Sequence, residues 1–129
     1  MQDRPSAREL LEAVAHFLER DAIPELDGPR QYHARVAANV MRVLSRELEL
    51  GPAFHRAEWQ RLSALLGDAG EAPADESRLV ESITRLTSKL CERIRRGDAD
   101  AGARRDQVLG HVRQTVEEKL AIAKPEMLK

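Results

Sequence analysis

Aromatic residues are nearly missing from this chain. Trp59, Tyr32, Phe17 and Phe54 are all it has, 3% of 129 residues. Leu, Val and Ala must therefore fill any core, letting helices approach closely but hiding less apolar area, at roughly 25 cal/mol for each Å². Such a chain is expected to draw part of its stability from self-association or from a partner. Cysteine is scarcer still: Cys91 stands alone, which excludes an intrachain disulfide and a Cys-rich zinc site. Neither sign of charge dominates, since 21 Lys and Arg face 22 Asp and Glu for a net −1. The positive field that non-specific phosphate binding needs is lacking, so nucleic acid is not an expected partner. No apolar run nears the roughly 18 residues of a membrane span, and polar residues occupy the N-terminus where a signal peptide is apolar. A cytoplasmic location without a membrane partner is the expectation. Phosphate-cradling glycine loops of the GxGxxG or GxxxxGK[ST] type are absent, as is any β-branched stretch of sustained period two.

What is there is helical periodicity, in a length with room for one domain and one core. Five helices are expected. Ser6, with Glu9 three residues on, opens the first as a capping box; Leu10, Leu11, Val14, Phe17 and Leu18 form its apolar face, and Pro24 stops it. The second runs from about residue 29 or 30 to 49, with Tyr32, Val36, Ala37, Val40, Val43, Leu44 and Leu48 as its buried stripe. Gly51 suits the left-handed position after that helix, and Pro52 suits the start of a third, about 53–66. Phe54, Leu62, Leu65 and Leu66 point inward there, Trp59 sits at an exposed edge, and Gly67 ends the helix. A small, polar connection over 67–75 leads to the fourth, about 76–96, with Leu79, Val80, Ile83, Leu86, Leu90, Cys91 and Ile94 on one face. Arg93, Arg95 and Arg96 complement its C-terminal dipole, and Gly97 closes it. After a loose 97–102 stretch, the fifth helix, about 103–123, buries Val108, Leu109, Val112, Val116 and Leu120 before Pro125. The expected architecture is one all-α domain over 1–129, a small helical bundle with antiparallel neighbours and no sheet.

Few side chains in this pattern point to chemistry. Cys91 lies on an apolar face with no base supplied by a local motif, so burial as a small hydrophobe is expected rather than nucleophilic reactivity. Glu12 with His16 and His55 with Glu58 are spaced one turn apart, but neither belongs to a full set of metal ligands. No metal, cofactor or catalytic group is expected. The second helix carries more recognisable groups. Arg35 and Asn39 share a face that Arg42 and Arg46 continue, and guanidinium forks suit planar oxyanions or an acidic strip on a partner. His33 points away from that face, about 160° from Arg35 by the 100° step of a helix, where it can fix a neighbouring loop. On the fifth helix His111, Thr115 and Glu118 line one side, with Arg113 and Lys119 on others; a solvated face is expected unless an interface covers it. Trp59 suits an anchor for a partner, because tryptophan is over-represented among hot spots.

Several stretches carry a family resemblance. They are Arg4-Pro5 with Glu9-Leu10-Leu11, Tyr32-His33-Ala34-Arg35-Val36-Ala37-Ala38-Asn39, Arg46-Glu47-Leu48, Leu90-Cys91-Glu92-Arg93-Ile94-Arg95-Arg96-Gly97, and Val112-Arg113-Gln114-Thr115-Val116 with Lys119-Leu120. In order and combination the chain resembles a family of small bacterial proteins of uncharacterised domain. These are usually encoded beside a phosphotransferase of the aminoglycoside/choline kinase fold and an acyl-CoA dehydrogenase. Where that family tends to end with Asn-Pro and then an aromatic, this chain has Lys124-Pro125-Glu126-Met127, which puts any contact by the terminal Asn or ring in doubt. The resemblance implies the small accessory subunit of a kinase that phosphorylates 4-hydroxyacyl-CoA. A chain without a phosphate loop or catalytic base would serve such a kinase by contact, ordering a lid or completing a pocket. The binding residues expected on this reading are His33, Arg35, Asn39, Arg42, Trp59, Arg113 and Lys119. The rival expectation is a homo-oligomeric helical module, a homodimer for instance, that takes a small anion such as an acyl-CoA by itself.

Overall fold

A computed structural model describes residues 3–68 and 70–129. Ala69, inside the polar connection expected over 67–75, lies outside the described residues. Among those described, every regular element is a helix: α1 (Ala7–Phe17), α2 (Gly28–Leu66), α3 (Glu76–Arg95) and α4 (Gly102–Ala123). A π-helical turn over Leu18–Ala22 and 3₁₀ turns over Ile23–Glu25 and Pro125–Leu128 complete the order.

The expected second and third helices are one. Gly51 does not take the positive φ that would have ended the second, and Pro52 sits inside the continuous α2. Proline removes one backbone donor and crowds the carbonyl four residues back, here that of Leu48, yet a single proline kinks a helix as often as it breaks it. By contrast Gly67 does adopt φ 65° and terminates α2, and Gly97 with φ 91° follows the end of α3. The expected Ser6 cap is present, its Oγ accepting from the Glu9 amide at 3.2 Å, and Asp75, expected only as part of the connection, caps α3 by accepting at Oδ2 from the Arg78 amide at 3.0 Å.

The chain divides into two compact units, Met1–Gly51 with Ile122–Pro125, and Pro52–Ala121 with Glu126–Lys129. In the first, the buried positions are small: Ala15 of α1, and Ala38 and Ser45 of α2. In the second, Leu62 and Leu66 of α2, Leu79, Ile83, Leu86 and Leu90 of α3 and Val108 of α4 form a continuous core. The α3 residues follow the i, i+4, i+7, i+11 spacing of one helix face. The C-terminal carbonyls of α2 are bonded in this unit, since Arg104 donates to the Leu65 oxygen at 2.6 Å and Arg93 to that of Leu66 at 3.2 Å. Arg93 thus satisfies the end of α2, beyond complementing its own helix.

Candidate functional site

In the first unit the amphipathic faces are turned outward. Leu10, Val14 and Phe17, expected to be buried, are exposed on α1, and so are Tyr32, Val36, Val40, Leu44 and Leu48 on α2. Polar groups occupy the α1–α2 contact instead. Arg42 of α2 pairs with Glu12 and Glu19, Ser45 donates to Glu12 at 2.6 Å, and Arg8 pairs with Glu49 at 2.8 Å. At 100° per residue Ala38, Arg42, Ser45 and Glu49 share one side of α2, which puts Tyr32, Val36 and Val40 on the other. The Ser45 hydroxyl foremost, then the Arg42 and Arg8 charges, holds the Glu12 carboxyl below its ordinary range. The bond from Arg42 does the same for Glu19, and Glu19 in turn raises Arg42.

The outward face of α2 combines an apolar strip with polar edges. Tyr32 is 64% exposed and stands edge-on to the His33 ring, centroids 5.6 Å apart at 65°. Arg35 and Asn39 are exposed along one edge of the Tyr32–Val36–Val40 strip. Arg42 and Arg46 do not continue that edge: Arg42 is bound to its two carboxylates, and Arg46 donates to the Ile122 carbonyl at 2.7 Å.

The second unit repeats the inversion on α4. Of the stripe expected inside, Val108 is buried and Leu120 half-buried, but Leu109, Val112 and Val116 are exposed, while His111 and Glu118 are buried and Thr115 half-buried. The reason is Arg61 of α2. It donates to both Glu118 oxygens at 2.9 and 3.0 Å, to Thr115 Oγ1 at 3.1 Å and to His111 Nδ1 at 3.3 Å. A guanidinium only donates, so His111 Nδ1 accepts and the ring is neutral with its proton on Nε2. Burial, with the Arg61 charge next, pushes the His111 pKa down, against a smaller upward pull from Glu118. Once Arg61 has drawn that polar row inward beside the buried Val108, α4 cannot also turn Val112 and Val116 inward. The i, i+4, i+7 row His111, Thr115 and Glu118 was visible as a row; its partner, 57 residues from Glu118 along the chain, was not.

The exposed α4 stripe borders a cleft of about 530 Å³ against α3, whose walls include Val80, Ile83, Ile94, Val112 and Val116, with Lys119 also lining it. Cys91 lines it too and is exposed, not buried as expected, because it lies one 100° step around from the buried Leu90. Val80 and Ile94 are likewise exposed. Trp59, by contrast, is half-buried against the core and donates to Ser82 Oγ at 3.0 Å, so it is not a free anchor. His55 bonds Glu76 and not its helical neighbour Glu58. Arg113 is exposed on α4.

Residues 24–127 match the model of a family described as a domain of unknown function, DUF6285, and the chain belongs to that family. No curated protein and no solved structure matches it.

Proposed function

We propose that this chain is a non-catalytic accessory subunit of a phosphotransferase-fold kinase acting on hydroxyacyl-CoA, and that it works by protein–protein contact through the outward face of α2. The observation that carries the contact is the exposed Tyr32–Val36–Val40 strip with Arg35 and Asn39 beside it. An apolar centre edged by polar groups, with Tyr and Arg prominent, is the composition of protein interfaces. Contiguous apolar faces of this kind are uncommon on chains that act alone. The identity of the partner rests on the family resemblance of the motif Tyr32–Asn39 and its companions. Tyr32 and Val36 would supply buried area, Arg35 and Asn39 directional bonds, and His33 would hold the Tyr32 ring in place.

The test is co-expression of the chain with a kinase of that class, scored by co-purification and by acyl-CoA-dependent ATP turnover. Co-elution with raised turnover, both lost in Val36→Asp while its helical content is unchanged, is the expected result. Separate elution with unchanged turnover would refute the reading. The rival, a self-sufficient binder of acyl-CoA, predicts instead that CoA thioesters alone raise the melting temperature. A ligand at 100 times its Kd adds about 2.7 kcal/mol.

A further inference from the structure

The cleft between α3 and α4, to which His55 and Glu58 of α2 also contribute, exposes mainly apolar surface with polar groups such as Thr84 and Thr115 among it, a shape that can receive an amphipathic helix carrying anchors at i, i+4 and i+7. This chain itself carries such a helix. Leu10, Val14 and Phe17 of α1 have that spacing, lie on one side and are exposed. We infer that a second copy of this chain docks its α1 into the α3–α4 cleft, and that the exchange is reciprocal in a two-fold dimer.

Area decides why a pair of contacts is required. With ordinary side-chain areas, the three α1 anchors leave roughly 300 Å² exposed and the apolar side chains in and beside the cleft roughly 400 Å², so one contact hides about 700 Å², below the ~1,000 Å² expected of a specific interface. Two symmetric contacts hide about 1,400 Å², inside the usual range of ~1,200–2,000 Å². A closed two-fold exchange also leaves neither groove nor anchor over, which prevents open-ended growth. Charge agrees with the same seating. Lys119 lines the cleft and makes no ion pair among the described residues; neither does Asp21, one turn beyond Phe17. An α1 seated with Asp21 at the Lys119 position joins the two across the copies.

Light scattering and sedimentation on the full chain test this. Wild type is expected at twice the 14.5 kDa chain mass. Phe17→Glu and Val112→Glu, both at exposed positions, are each expected at the monomer mass with unchanged helical circular dichroism. Should Val112→Glu lose helical signal, Val116→Glu takes its place. Mixing the two variants leaves one intact anchor and one intact groove, a single contact below the area of a stable interface, so the mixture is expected to stay at the monomer mass at concentrations where wild type is a dimer. Lys119→Glu is expected to weaken the dimer, and Asp21→Lys in the same chain to restore it. Wild type at monomer mass at 100 µM, a dimer unaffected by Val112→Glu, or a mixture that dimerises as tightly as wild type would each overturn the inference.

Discussion

Arg61 meets Glu118 fork to fork: its two terminal nitrogens lie 2.9 and 3.0 Å from the two carboxylate oxygens, from elements 57 residues apart in the chain. The Glu118 side chain is only 9% exposed and that of Arg61 24%. Both charges therefore depend on each other, with Thr115 and His111 accepting further guanidinium bonds. This contact fixes which side of α4 faces in, and by doing so leaves Val112 and Val116 facing out.

Removing one partner strands the other. Breaking a buried pair costs about 3–5 kcal/mol, and the part-exposure of Arg61 reduces this to about 2–4 for Glu118→Ala. Thermal unfolding should show a melting temperature lower by on the order of 10 °C. The double change Arg61→Leu with Glu118→Leu should cost less than Glu118→Ala alone, since no lone charge is left. A double variant as damaged as the single would contradict the assignment.

The neutral His111 makes stability fall with acid. Its folded pKa lies below the unfolded value of about 6.5, so the unfolded chain binds a proton first. The contribution is full above that value and is lost as pH falls from it toward the lower folded one. Urea midpoints taken between pH 7.5 and 5 should decline, and His111→Gln, whose amide oxygen can still accept from Arg61, should decline less. Parallel slopes for the two proteins would remove His111 from the account.

Pro52 stands in the interior of α2, well past its first turn. Pro52→Ala returns a backbone donor for the Leu48 carbonyl, and it should raise stability by about 1–3 kcal/mol with a gain in far-ultraviolet helical signal. A loss of stability would mean that the kink itself is needed.

Exposed and buried apolar positions should part company on substitution. Leu86→Ala, in the core of the second unit, should cost about 2–5 kcal/mol in chemical denaturation. Val36→Asp, on the outward face of α2, should change the stability of the dissociated chain by about 0.5 kcal/mol or less. Comparable losses at both sites would show that the α2 strip is covered within the chain.

The α3 face was legible because its apolar spacing and its burial coincide: Leu79, Ile83, Leu86 and Leu90 sit where periodicity puts them. On α1, on the N-terminal half of α2 and on α4, only part of the apolar stripe found by periodicity turns inward: Val108 is buried and Leu11, Leu18, Ala37, Val43 and Leu120 are half-buried, while the other members are exposed. There inner positions also belong to Glu12, Arg42 and Ser45, and to His111, Thr115 and Glu118. Arg42 was read as part of a recognition surface, and nothing local distinguishes an arginine awaiting a partner from one that already has Glu12 and Glu19.

Local rules were enough for helical class, for the Ser6 cap and for the stop at Gly67, because each depends on backbone geometry within a turn or two. That α2 runs on through Gly51-Pro52 could not be read from those two residue types, and which face of each helix is covered was settled only by tertiary contacts. Those contacts pair charges across 23 to 57 residues, and a charged group surrounded by its partners outweighs, in orienting a helix, a stripe of valines that another chain can cover.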